Sequence, residues 1–200
     1  MKPILILDCD EVILEFARPF AQWLHDARNV SLRFDSFALM GNMRHISSGE
    51  LVQPEDFPAL IDGFFAEGQR LQQPAADAVA ALTRLRGSMD LVVLTNIPEN
   101  WRDIRVQHLR DLGLDLPVHA NDGPKGRMVR DLAAGRTAVF VDDLPPHHSS
   151  ALKHAPHVGR LHMVADATLR GLIPAAPDAH ARIDTWAQAA PWIEQWMEQQ

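Results

Sequence analysis

Asp8 and Asp10 stand two residues apart at the end of an aliphatic run, Ile4 to Leu7. Side chains on a strand alternate between faces, so the two carboxylates point the same way. Cys9, between them, points oppositely into the core and reads as a structural thiol, not a nucleophile. Unpaired carboxylates at the end of a buried strand are costly. Two of them close together need a divalent cation, a proton or a basic partner. Thr95 and Asn96 follow a second apolar run, and Asp142 and Asp143 a third. Hydroxyl, amide and acid groups thus fall at the ends of several such runs, as a site for chemistry requires.

Four aliphatic or β-branched runs read as buried parallel strands: Ile4–Leu7, Leu91–Leu94, Ala138–Val141 and Leu161–Val164. Helical patterns separate them. One runs from Pro74 to Arg86 and is closed by Gly87; the others open at Pro98, Pro124 and Pro145–Pro146. The alternation predicts an α/β fold, a Rossmann-like parallel sheet flanked by helices. Ligands in such sheets bind beyond the carboxyl ends of the strands, where the polar clusters fall.

More than eighty residues separate Asp10 from Thr95, too many for a single crossover. Helical patterns near Arg18–Arg28 and Pro54–Glu67 flank MGNMRHISSGE, which reads as a loop. The insertion, residues 14–73, is predicted to form a small helical cap after the first strand. The core is then residues 1–13 and 74–200. Near the end, Arg182–Ile183 is a short strand candidate, followed by a helix carrying Trp186, Trp192 and Trp196. The spacing puts Trp192 and Trp196 on one face, read as packing on the chain's own domain rather than as a dimer contact.

Two hundred residues permit one core plus a small insertion, as a monomer or a homodimer. The formal net charge of -7 argues against coating a nucleic acid polymer or an anionic membrane. It leaves a small anionic substrate open. A single cysteine excludes an intrachain disulfide and points to a reducing compartment, the cytoplasm. The first apolar run is too short for a signal peptide, and no stretch is long enough to span a bilayer.

The motifs resemble, in order, the four of the haloacid dehalogenase-like (HAD) superfamily of phosphohydrolases. They are DCDEV at Asp8–Val12, LVVLTN ending in Asn96, Lys125 in GPKG, and VFVDDLPP with Asp142 and Asp143. The resemblance implies a Mg²⁺-dependent phosphomonoester hydrolase acting on a small phosphorylated metabolite. Asp8 is then the nucleophile that forms an aspartyl-phosphate. Asp10 is the general acid and base. Thr95, Asn96 and Lys125 bind the phosphoryl group. The implied metal ligands are Asp8, the main-chain carbonyl of Asp10, and Asp143, with Asp142 behind them. Nucleotidase-type specificity, phosphotransfer to an acceptor other than water, and a binding role on the same scaffold are the alternatives. Asp10 argues against dehalogenation, whose branch does not use this second acid.

Two departures from the pattern stand out. Glu11 occupies a position where many relatives have Gly, and the fourth motif lacks a further acid after Asp143. By the same resemblance, cap loops help choose the substrate. Arg44 and His45, with Asn42, Ser47 and Ser48, are candidates for holding a polar leaving group. Arg18 in the first cap helix is another. An ordinary surface loop has the same composition. The histidines at 147, 148, 154, 157 and 162 read as solvated or capping side chains rather than as a second metal site.

Overall fold

Ile4–Leu7 (β1) lies at the centre of a six-stranded parallel sheet, buried on both faces. The computed structural model describes residues 1–36 and 38–199. On one side of β1 lie β4 (Asp90–Thr95) and β5 (Val118–Ala120). On the other lie β6 (Ala138–Asp142), β7 (Gly159–His162) and β8 (Ala181–Arg182). All five pairings are parallel. The strand order reverses beside β1, which opens a crevice at the carboxyl ends of the central strands.

Alternation along β1 divides the core. Leu5 and Leu7 face helices α3 (Ala78–Leu85), α4 (Arg102–Asp111) and α7 (Trp186–Glu198). Ile4 and Ile6 face α5 (Gly126–Ala133) and α6 (Pro145–His154). The α/β architecture expected from the sequence is therefore present. Trp192 and Trp196 stack with ring centroids 5.4 Å apart and pack on the same cluster as Leu5 and Leu7. Among the described residues, no helix is long and apolar enough to cross a membrane.

Several boundaries differ from the sequence reading. The β7 strand sits two residues early, because Val164 and Ala165 leave the ladder to bond Asp184 and Glu11. The β5 strand is three residues long, too short to show a period. The helix expected from Pro74 starts only at Ala78. Pro74 instead bridges to Leu14, and the Ala75 N–H bonds Ile13 O, so this segment forms one of two links to the insertion.

The insertion contains α1 (Ala17–Arg28) and α2 (Phe57–Gly63), the latter running on through a wide turn at Phe64–Gly68. It is not purely helical. Val30–Leu32 (β2) and Met43–His45 (β3) pair as an antiparallel ribbon within what the composition presented as a loop. Buried Met43 joins Phe20, Trp23, Leu24, Val30 and Phe64 in an apolar cluster separate from the sheet. A local core of that kind outweighs the Gly and Ser around it.

Candidate active site

The backbone N–H of Asp8 bonds Val141 O, the last link between β1 and β6. The chain then turns sharply, with the N–H groups of Ile13 and Leu14 both bonding Cys9 O. Glu11 adopts φ +58°, a left-handed conformation uncommon outside glycine. Its carboxylate compensates. It accepts the N–H groups of Phe16 at 2.9 Å and Ala17 at 2.7 Å, donors that the start of α1 would leave unpaired. It also accepts the Asp166 N–H at 3.3 Å. Burial pushes the Glu11 carboxyl up to about 7. The residue that departs from the motif thus fastens the cap entry to the core.

Asp8, Asp142 and Asp143 form a buried carboxylate cluster with oxygen atoms within 4.8 Å of one another. One ammonium serves them. Lys125 Nζ lies 2.7 Å from Asp8 Oδ1 and 2.8 Å from Asp142 Oδ2. Asp142 Oδ1 accepts the Leu144 N–H at 2.9 Å, so both its oxygens are engaged. Asp143 makes no side-chain hydrogen bond among the described residues.

The electrostatics record this imbalance. Burial pushes the Asp8 carboxyl up to about 7, with Lys125 opposing and Asp142 and Asp10 reinforcing. Burial, then Asp142 and Asp8, drives Asp143 well above the usual carboxylate range. Burial alone would lower Lys125, but Asp142 and Asp8 hold it above the usual ammonium range. Hard oxygen donors with surplus negative charge fit a divalent cation such as Mg²⁺. Asp142 is not among the residues that line the cavity with Asp8 and Asp143.

Asp10 lines the same cavity but stands outside that cluster. Its partner was not visible in the sequence. Arg105, on α4 and fully buried, places Nη1 2.9 Å from Asp10 Oδ1 and 2.8 Å from Cys9 Sγ. Gln72 Nε2 also donates to Asp10 Oδ1, at 2.6 Å. Oδ2 has only a 3.5 Å approach from Arg105 Nη2. Cys9 is buried outside the cavity lining, and burial pushes its thiol up to about 12, which disfavours the reactive thiolate.

Thr95 Oγ1 is buried at the cavity wall without a hydrogen-bond partner. Asn96 lines the cavity too, its side chain held by Asn121 Nδ2 at 2.8 Å and by the Gly123 carbonyl at 3.1 Å. Asp8, Asp10, Thr95, Asn96, Lys125 and Asp143 therefore converge on one cavity of about 480 Å³.

Arg18, Arg44 and His45 do not reach it. Arg18 Nε pairs with Asp166 Oδ2 at 2.6 Å and ties α1 to the segment after β7. Arg44 lies on β3 and donates to Gly49 O at 2.9 Å, while His45 pairs with Val30 in the ribbon. The cap side of the cavity is instead mostly apolar, with Phe16, Leu39, Met40, Phe57, Ile61 and Phe65 beside Arg33 and Ser36. A signal was present: seven of the eight phenylalanines fall between residues 14 and 73.

The histidines also differ from expectation. His148 and His162 are fully buried, their rings 5.4 Å apart. His148 Nε2 donates to Asp142 O at 3.0 Å and His162 Nε2 to Asp143 O at 2.8 Å, fixing the backbone of the two acids. They brace the main chain of the two acids from within the core.

No protein-family model matches the sequence, and neither does any curated protein. Solved structures do. A HAD family hydrolase from Deinococcus radiodurans, with bound phosphate and sodium, is 14% identical with a TM-score of 0.67; the match covers 96% of this chain and 95% of that one. A HAD-superfamily hydrolase of subfamily IA from Geobacter sulfurreducens is 19% identical with a TM-score of 0.60, covering 96% of both chains. The protein YfnB of Bacillus subtilis, a magnesium-bound structure described as a HAD-hydrolase, is 15% identical with a TM-score of 0.64, covering 96% and 98%. The sheet order, the insertion after β1 and these matches agree: the chain has the haloacid dehalogenase-like fold.

Proposed function

We propose that this protein is a Mg²⁺-dependent phosphomonoester hydrolase acting on a small phosphorylated metabolite. The observation that carries the reading is the charge imbalance around Asp8. Three buried carboxylates cluster at the ends of β1 and β6 around a single lysine that pairs with Asp8 and Asp142, and two of them, Asp8 and Asp143, line the cavity. A scaffold without chemistry has no use for such a costly cluster.

Asp8, Asp143 and the Asp10 carbonyl would hold the cation, with Asp142 supporting through Lys125. Bound there, Mg²⁺ supplies neutralisation of phosphate charge. Asp8 attacks phosphorus, and the bond from phosphorus to the leaving oxygen breaks. Asp10 gives that oxygen a proton, leaving an aspartyl-phosphate and a free alcohol. Asp10 then takes a proton from water as the water oxygen attacks phosphorus, which restores Asp8 and releases inorganic phosphate. Thr95 Oγ1, the Asn96 N–H and Lys125 Nζ hold the phosphoryl oxygens. The phosphate bound by the Deinococcus radiodurans neighbour and the magnesium bound by YfnB support this reading.

The test is phosphate release from a panel of nucleotides, sugar phosphates and phospho-acids, with Mg²⁺ and with excess chelator. Release by the wild type that stops on chelation is expected. Release that persists in chelator contradicts the reading.

A further inference from the structure

Given the hydrolase reading, we infer that the substrate is a monophosphate ester of a bulky apolar alcohol, aromatic or branched aliphatic, whose leaving group lodges under the cap. The cavity is divided by chemistry. Its floor carries the acids, Thr95, Asn96 and Lys125, all needed by a phosphate and its cation. Its roof carries Phe16, Leu39, Met40, Phe57, Ile61 and Phe65, with Phe34 and Leu169 completing one wall. At about 480 Å³, it matches pockets that enclose a sizeable organic molecule, roughly 300–1,000 Å³.

The remaining polar lining, Glu11 and His147, belongs to the core side with the acids, where Glu11 is committed to backbone N–H groups and His147 Nδ1 is unpartnered; the roof itself offers little to a sugar or a second phosphate. Its only hydroxyl among the described residues, Ser36 Oγ, accepts from Asn42 Nδ2 at 2.8 Å and keeps a single O–H to donate, too little for a polyol. Arg33, the cap's only cation among the described lining residues, pairs with Asp35 at 2.9 Å, and both side chains are largely exposed. Arg44, Ser47 and Ser48 lie outside the cavity. A polyhydroxylated leaving group there would exchange water for unpaired contacts, whereas an apolar one would shed water from its own surface and from the phenylalanines.

The experiment is steady-state hydrolysis, with Mg²⁺, of 2-(1-naphthyl)ethyl phosphate, whose leaving alcohol is aliphatic like those of the polar esters, and of glycerol phosphate, glucose 6-phosphate, AMP and acetyl phosphate. The wild type is expected to show kcat/KM at least tenfold higher for the naphthylethyl ester than for either sugar-type ester or AMP. In Ile61→Asn, and separately in Phe57→Ser, the ratio of naphthylethyl to acetyl phosphate kcat/KM should fall about tenfold. A wild type that prefers glycerol phosphate, glucose 6-phosphate or AMP overturns the inference and leaves the hydrolase reading standing. A ratio unchanged in both folded variants also overturns it. No release from any of the five, acetyl phosphate included, overturns the hydrolase reading and this inference with it.

Discussion

Arg105 and Asp10 are separated by 95 residues of chain, yet Arg105 Nη1 lies 2.9 Å from Asp10 Oδ1. The guanidinium is fully buried and its fork also reaches Cys9 Sγ at 2.8 Å and Gln69 Oε1 at 3.2 Å. It orients the carboxylate assigned to proton transfer while leaving Oδ2 nearly free. Arg105→Lys keeps the charge but loses the planar fork. Its kcat is expected to fall about 10²-fold with KM little changed, since misplacing a reacting group costs that much. Arg105→Met should also destabilise the fold by about 3 kcal/mol or more, because it strands a partly buried carboxylate. Steady-state kinetics and urea unfolding read the two effects; an unaltered kcat in Arg105→Lys removes the positioning role.

Glu11 trades backbone strain for hydrogen bonds. Glu11→Ala keeps the left-handed φ of +58° and removes the acceptors for the Phe16, Ala17 and Asp166 N–H groups. A loss of about 2 kcal/mol is expected, in the range for losing a helix cap. Glu11→Gly should be less damaging, since glycine relaxes the turn. Equal stability of wild type and Glu11→Ala in thermal unfolding would show that the carboxylate does not anchor the cap.

Gly126 sets the spacing between α5 and α6. A Cβ there would lie 2.0 Å from Ser150 O, a backbone atom, so one helix must shift. Lys125 precedes it directly. Gly126→Ala is expected to cost about 1–3 kcal/mol by overpacking and to lower activity by displacing the ammonium from Asp8 and Asp142. Normal thermal stability and normal turnover in this variant would mean that the interface has slack the structure does not show.

His148 should make the fold sensitive to mild acid. Burial lowers its value from 6.5 to about 4, despite opposing contributions from Asp142. Nε2 donates to Asp142 O, and Nδ1 is buried without a partner for a second proton. Between these values the unfolded chain binds a proton that the folded chain does not. The contribution is therefore intact above the unfolded value and is lost as pH falls towards 4. From pH 7 to pH 5, the wild type should lose about 2 kcal/mol more than His148→Gln. Urea unfolding of both proteins at the two pH values measures it, and parallel losses would remove His148 as the cause.

The parts of the site legible in sequence were those set by local pattern. Asp8, Thr95, Asp142 and Asp143 could be placed because each follows an apolar run at the end of a strand. Arg105 and Gln72 could not, since periodicity carries no information about contacts across 62 to 95 residues. The β2–β3 ribbon was hidden by surrounding Gly and Ser, and only the burial of Met43 in a local core explains it. His148 and His162 read as polar, yet each finds a backbone carbonyl in the interior, a pairing that depends on tertiary packing.

The most direct measurement is acid quench of the enzyme during turnover with Mg²⁺, followed by mass spectrometry of the peptide containing Asp8, in wild type and Asp8→Asn. A phosphoryl adduct on Asp8 in the wild type is predicted, with no adduct and no phosphate release in a folded Asp8→Asn. Turnover that survives in Asp8→Asn, or an adduct on another residue, would contradict the assignment of Asp8 as nucleophile.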